Sequence, residues 1–106
     1  MIRRYDKLVR DKIPEIIQSK GEIPRIVKLD DEQYFSALNQ KLREEIDEYF
    51  EAYELEELAD ILEVVYAIAQ YKQVSKDDLE RLRWEKYNER GGFEERIFLL
   101  GVEKSE

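Results

Sequence analysis

The 106-residue chain contains neither cysteine nor histidine. The lack of cysteine excludes disulfides, thiolate nucleophiles, zinc fingers and iron–sulfur clusters. The lack of histidine excludes the Ser-His-Asp triad, His-ligated haem or zinc, and acid–base catalysis by imidazole. The usual cysteine- and histidine-based active sites and metal centres are therefore outside the reach of this chain.

Glycine and proline are also scarce, with four and two residues respectively, which argues against a loop-rich or low-complexity chain. No apolar run approaches the ~18 residues of a membrane span, and the N-terminus lacks the apolar segment of a signal peptide. The apolar content of 42% and the aromatic content of 11% favour a folded core over disorder. We expect a single domain, residues 1–106, located in the cytoplasm and without a membrane partner.

The net charge of −8 is unevenly distributed along the chain. Residues 44–71 contain ten Asp or Glu and no Lys or Arg, whereas residues 1–28 contain eight bases and four acids. An acidic centre disfavours binding of nucleic acid through its phosphates, and it favours cations. The alternative is that these acids simply form solvated helix faces.

Periodicity and capping residues predict a mainly α fold, a helical bundle. The expected helices cover residues 14–20, a stretch from an N-cap at Asp30 or Asp31 to about residue 52, residues 54–71, and a stretch from the cap Ser75 to residue 90. The junction near Tyr53 is either a tight turn or a bend. Two β-prone segments, residues 23–29 and 95–102, would pair as a small two-stranded element.

Two pairs of carboxylates stand out on the long central helices. Glu45 falls inside the apolar stripe of its helix and Glu48 lies at the border of that stripe. Glu57 and Asp60 belong to a helix that is apolar nearly all round, so they are expected to face another element. The i,i+3 spacing places both members of each pair on one helix face.

A buried acid such as Glu45 needs a cationic partner, a metal ion or an escape to water at a frayed helix end. Two antiparallel helices would bring both carboxylate pairs together, and such a cluster repels itself unless a cation is present. Ligands that are all oxygen suit Mg²⁺, Mn²⁺ or Ca²⁺. An EF-hand is excluded because its acids lie in a loop around a glycine.

The complete pattern resembles a known superfamily. Its elements are E-E-x-x-E at residues 44–48, E-x-x-D at residues 57–60, an opening block YDKLVRDKIP at residues 5–14, and a closing block KYNERGGF at residues 86–93. Together they resemble the all-α nucleoside triphosphate pyrophosphohydrolases, the MazG-like superfamily, in a small and largely uncharacterised branch. Phosphoribosyl-ATP pyrophosphohydrolase is a related enzyme.

This resemblance implies an all-α bundle that assembles as a homodimer or homotetramer. It implies hydrolysis of a nucleoside triphosphate, including damaged or non-standard ones, to the monophosphate and pyrophosphate. The cofactor would be Mg²⁺, with Mn²⁺ as a substitute. The metal ligands implied by the family pattern are Glu45, Glu48, Glu57 and Asp60.

Further roles follow for the residues around this acidic centre. Glu44 or Glu48 would take the proton of the attacking water. The residues expected to contact phosphate are Arg10, Lys12, Lys86 and Arg90. For each of these bases the alternative is an ordinary surface salt bridge. The competing function is a catalytically inactive bundle that binds a nucleotide or a cation and acts in regulation.

Overall fold

Four α-helices account for the regular structure in the computed structural model, which describes residues 3–105. The mainly α prediction is confirmed, and the helix limits lie close to the predicted ones. The helices are α1 (Ile13–Ser19), α2 (Asp31–Ala52), α3 (Leu55–Tyr71) and α4 (Lys76–Arg90). No helix within residues 3–105 has both the length and the apolar character that crossing a bilayer requires.

Side-chain caps fix where the long helices begin. The Asp30 carboxylate accepts a hydrogen bond from the backbone N–H of Gln33 at 2.8 Å, and the Asp30 N–H donates to the Gln33 side chain at 3.3 Å. This reciprocal capping box selects Asp30 over Asp31 as the N-cap of α2. Ser75 caps α4 in a simpler way, because its hydroxyl accepts the N–H of Asp78 at 3.1 Å.

A tight turn of two residues joins α2 to α3. Tyr53 adopts a left-handed conformation (φ 54°) and its N–H donates to the carbonyl of Tyr49, while Glu54 is extended. The turn reverses the chain, so α2 and α3 pack as an antiparallel hairpin. Phe35 near the start of α2 accordingly stacks on Tyr71 at the end of α3, with ring centroids 4.8 Å apart.

The hydrophobic core of a single chain is small. Leu38, Val64 and Ala69 are the buried apolar side chains among the described residues, and all lie in the α2–α3 hairpin. Helix α4 packs on α3 but contributes no buried residue. The radius of gyration is 19.2 Å, against about 13 Å for a compact domain of roughly 100 residues. One copy therefore leaves an unusually large apolar surface in contact with water.

The small two-stranded element predicted for residues 23–29 and 95–102 does not form within the described chain. Neither segment is part of a strand, and Glu95 at the start of the second lies in a turn. Pro24 removes one amide donor from the first segment, and a two-stranded ribbon without a covering layer is marginal in water. The β-propensity of these segments is therefore not enough to pair them within one copy.

Candidate metal centre

The α2–α3 hairpin gathers the predicted metal ligands into two overlapping groups. One oxygen from each of Glu45, Glu57 and Asp60 lies within 4.8 Å of the others. The same limit holds for one oxygen from each of Glu44, Glu45 and Glu48. Glu45 belongs to both groups, so it links the acids of α2 to those of α3.

Glu45 is the buried member of this cluster, with only 6% of its surface exposed. Its Oε1 lies 3.2 Å from the Nζ atom of Lys41, one helical turn earlier. Its Oε2 is buried and has no hydrogen-bond partner. A buried carboxylate oxygen without a partner is costly, and in native proteins it commonly marks a ligand or ion site.

Lys41 is the cation that sequence reasoning missed. Its Nζ atom lies 3.3 Å from Glu44 Oε1 as well as contacting Glu45. Desolvation opposes its charge, but the hydrogen bond to Glu45 and the negative charge of Glu44 outweigh that effect and raise the pKa of Lys41. The signal was present in the sequence, since Lys41 precedes these acids by the i,i+3 and i,i+4 spacings of helical ion pairs.

Two of the remaining acids resist ionisation. Burial, followed by the negative charge of Glu45, raises the pKa of Glu48. Burial, followed by the negative charges of Asp60 and Glu45, raises the pKa of Glu57. Burial is the larger cause of both shifts, and repulsion between neighbouring carboxylates adds to it; a bound cation would relieve that repulsion.

The segment before α1, residues 3–12, lies against the same cluster and is called the N-terminal arm below. The Nη2 atom of Arg10 lies 2.7 Å from Asp60 Oδ1, and the Nζ atom of Lys7 lies 3.4 Å from Glu44 Oε1. Arg10 was predicted at the site and is placed there by the structure. Lys7 was not predicted, because no local spacing links it to an acid 37 positions away.

The other predicted phosphate contacts do not reach the carboxylates of the same chain. Lys12 is exposed at the N-cap of α1, and within residues 3–105 it makes no ion pair. Lys86 and Arg90 line a surface pocket at the end of α4, together with Arg83, Tyr87 and residues 91–94. None of the clustered carboxylates lines that pocket, so one copy holds two separate charged sites, one acidic and one basic.

Comparison with known proteins finds similarity over part of the chain. No protein-family model matches it, and no solved structure matches it. A protein of Mycolicibacterium smegmatis, described as uncharacterized, is 50% identical over 42 residues, which are 40% of this chain and 43% of that protein. The chain thus matches less than half the length of this relative. The function must be inferred from the site, and the resemblance to the MazG-like superfamily stays a prediction.

Proposed function

We propose that the protein is a Mg²⁺-dependent, MazG-like pyrophosphohydrolase that cleaves a nucleoside triphosphate to the monophosphate and pyrophosphate. Damaged or non-standard nucleotides are included among its substrates. The observation that supports this most directly is the buried Oε2 atom of Glu45, which has no partner and lies within a cluster of four other carboxylates. A purely structural helix pair has no need of a buried acid in that environment.

The donor set fits a hard divalent cation. The proposed ligands are Glu45 and Glu48 from α2 and Glu57 and Asp60 from α3, all of them carboxylates, which suit Mg²⁺ or Mn²⁺. When bound, the cation would offset the charge of the carboxylates, hold the triphosphate oxygens and polarise the phosphorus under attack.

The acids of the chain would supply the proton acceptor for the attacking water. Glu48 is better suited than Glu44, because its pKa is raised and no ion pair occupies it among residues 3–105. Glu44 by contrast already contacts both Lys7 and Lys41. We therefore assign proton transfer to Glu48 and a supporting role to Glu44.

Arg10 would act on the phosphates. Its guanidinium neutralises Asp60 in the metal-free chain. A cation bound by Asp60 would compete with that ion pair, which releases the guanidinium for a phosphate oxygen that it can hold in bidentate fashion. Lys86 and Arg90 lie apart from the clustered carboxylates of their own chain, so we assign them to phosphate contacts completed by another copy. Lys12 is an exposed base without an ion pair among residues 3–105, and we assign it no phosphate contact.

We further propose that the protein works as a homodimer or homotetramer. Leu55, Leu58 and Leu62 form an exposed stripe on α3 at the i, i+3, i+7 spacing of a helix-packing face. A chain with so few buried apolar residues gains stability by covering that stripe against another copy.

The deciding experiment is a hydrolysis assay on a panel of standard and modified nucleoside triphosphates with Mg²⁺, in which pyrophosphate and orthophosphate are measured separately. We expect pyrophosphate release that is lost in Glu45→Gln and retained in the control Glu51→Gln, which changes an exposed acid of the same helix. Circular dichroism of both variants verifies the fold. Release of orthophosphate alone would mean that a different phosphate bond is cleaved. Release of neither product would contradict the proposal.

The alternative is an inactive bundle that binds a nucleotide or a cation. It is favoured by the ion pairs that the chain already provides, from Lys41 to Glu45 and from Arg10 to Asp60. In that case Glu45→Gln would raise the melting temperature of the metal-free protein by relieving repulsion, and no substrate would be turned over. Thermal shifts with Mg²⁺ and nucleotide would then identify the ligand.

A further inference from the structure

Two segments without regular secondary structure leave nearly all of their backbone groups without a partner in the same copy. They are residues 23–29, called the basic segment, and residues 96–102, called the tail strand. Within residues 3–105, neither segment belongs to a helix or strand, and one backbone hydrogen bond, from the Arg96 N–H to the Phe93 carbonyl, involves either of them. Free N–H and C=O groups along an extended chain are a template for pairing with another strand.

The tail strand is apolar on both faces and almost fully exposed. Its large apolar side chains have between 74 and 93% of their surface in contact with water, and they are Ile97, Phe98, Leu99, Leu100 and Val102. A strand with a continuous apolar run is typical of positions covered on both sides. The exposed area is on the order of the ~800 Å² that each partner contributes to a standard interface.

The basic segment resembles the tail strand in its β-prone side chains and differs from it in charge. Ile26 and Val27 are exposed β-branched residues, and Arg25 and Lys28 make the segment positive. In and beside the tail strand, Glu94, Glu95 and Glu103 outnumber the two bases Arg96 and Lys104, which leaves a net charge of −1. Pro24 sits at the start of the basic segment, where a missing amide donor does not interrupt a ladder.

We propose that the tail strand of one copy pairs through backbone hydrogen bonds with the basic segment of a second copy, and that the exchange is reciprocal. The two segments do not pair within one chain, although each has the β-propensity and charge that the other requires. Reciprocal exchange gives a closed two-fold dimer, whereas one-way exchange would leave a free apolar tail at the end of every assembly.

This pairing is independent of the carboxylate cluster and goes beyond the proposed activity. It uses none of the proposed metal ligands, so loss of pyrophosphate release and loss of strand exchange are separate observations. It also differs from packing through the leucine stripe of α3, because it predicts contact between two particular segments and not only a change in mass.

The cysteine-free sequence allows a direct test by disulfide cross-linking. Val27→Cys and Leu99→Cys are made in separate full-length chains that carry different tags, and the two chains are co-expressed, purified and oxidised. We expect a mixed disulfide that joins the two tags at twice the chain mass. The matched control pairs Leu99→Cys with Ser36→Cys, a near-isosteric change at an exposed position of α2.

Two results would overturn the proposal. One is a yield of the Val27–Leu99 link no higher than that of the Ser36 control. The other is a double variant, Val27→Cys with Leu99→Cys in one chain, that closes mainly within itself and runs at the mass of one chain. The uncross-linked variants are compared by circular dichroism, so that loss of folding is recognised separately.

A charge reversal tests the complementarity within the same assay. Arg25→Glu combined with Lys28→Glu places like charges opposite the acids that flank the tail strand, and the cross-linking yield at low salt is expected to fall at least threefold. Glu95→Lys combined with Glu103→Lys in the partner chain is expected to restore it. A yield that the first pair of changes leaves unaltered would contradict charge-matched pairing.

Discussion

Lys41 and Glu45 form an ion pair across one turn of α2, with Nζ 3.2 Å from Oε1, and they leave the second carboxylate oxygen buried without a partner. The lysine contacts only one of the two carboxylate oxygens of Glu45. It also contacts Glu44, so a single ammonium group compensates two carboxylates. The remaining demand for positive charge at Glu45 is what a divalent cation would meet.

Replacing Lys41 by Met tests this division of charge. The metal-free protein is expected to lose about 1–3 kcal/mol of stability, since Glu45 would be left as a buried charge without its partner. Mg²⁺ at saturating concentration is expected to recover most of that loss, because the cation supplies the missing charge. The measurement is thermal unfolding of both proteins with and without Mg²⁺.

Arg81→Met serves as the control for that experiment. Arg81 forms an exposed i,i+3 ion pair with Asp78 on α4, and such pairs contribute less than about 1 kcal/mol. The stability of the Arg81→Met variant should differ little from that of the parent protein and should respond to Mg²⁺ in the same way. An equal loss in both variants, unaffected by Mg²⁺, would show that Lys41 has no special relation to a metal.

Arg10 and Lys12 provide a second contrast, because they are two residues apart in one arm but differ in their contacts. Arg10 reaches Asp60, whereas Lys12 is exposed. Arg10→Met is expected to raise the KM for the triphosphate about tenfold, equivalent to ~1.4 kcal/mol, through loss of a phosphate contact. Lys12→Met is expected to change it less than twofold. Steady-state kinetics of pyrophosphate release measures both, and equal effects would argue against the proposed role of Arg10.

The helices and the carboxylate pairs could be predicted because they depend on local spacing. Capping residues set the helix limits, and the i,i+3 spacing alone places Glu57 and Asp60 on one face. The sequence left open whether Tyr53 is a tight turn or a bend, because a left-handed turn is not expected at a residue that is neither glycine nor asparagine. The antiparallel meeting of the two pairs was therefore one of two alternatives.

Contacts between distant parts of the chain could not be predicted in the same way. The ion pair from Lys7 to Glu44 depends on how the N-terminal arm crosses α2, and no periodicity encodes that path. Whether residues 95–102 form a strand likewise depends on which surface covers them. Propensity favoured a strand there, but it could not indicate that the described part of the copy offers no strand partner.

The capping box at the start of α2 gives a prediction that separates two adjacent aspartates. Asp30→Ala removes the acceptor for the Gln33 N–H and should cost about 1 kcal/mol of stability. Asp31→Ala, one position inside the helix, should cost only the few tenths expected from loss of an acid near the N-terminus. Urea unfolding followed by circular dichroism compares the two. Equal losses would mean that the cap is not formed in solution.

The leucine stripe of α3 predicts how the proposed oligomer responds to an added charge. Leu58 is about half exposed in one copy, so Leu58→Lys should leave the hairpin folded while placing an ammonium group in the helix interface. Sedimentation is expected to give a dissociation constant for the oligomer at least tenfold higher than that of the parent protein. Glu63→Lys, on another side of the same helix, is the control. A monodisperse monomer in the parent protein would remove the basis for this prediction.

The raised pKa values of Glu48 and Glu57 predict an inverted pH dependence for the metal-free protein. A carboxyl group whose pKa is higher in the folded state binds more protons there than in the unfolded chain. Stability contributed by such groups therefore rises as pH falls from the raised values towards the ordinary value of 4.5, and it decreases as pH rises.

Melting temperatures measured between pH 7 and pH 5 check this directly. We expect the metal-free protein to become more stable over that range and the variant Glu48→Gln with Glu57→Gln to respond less, because its side chains no longer titrate. Glu80→Gln is the control, since the hydrogen bond from Arg83 lowers the pKa of Glu80 and its linked change in stability falls below the measured range. This variant should respond as the parent protein does. Saturating Mg²⁺ should abolish the gain, because protons and metal compete for the same carboxylates. A gain that persists unchanged in the double variant and in Mg²⁺ would place its origin outside the cluster.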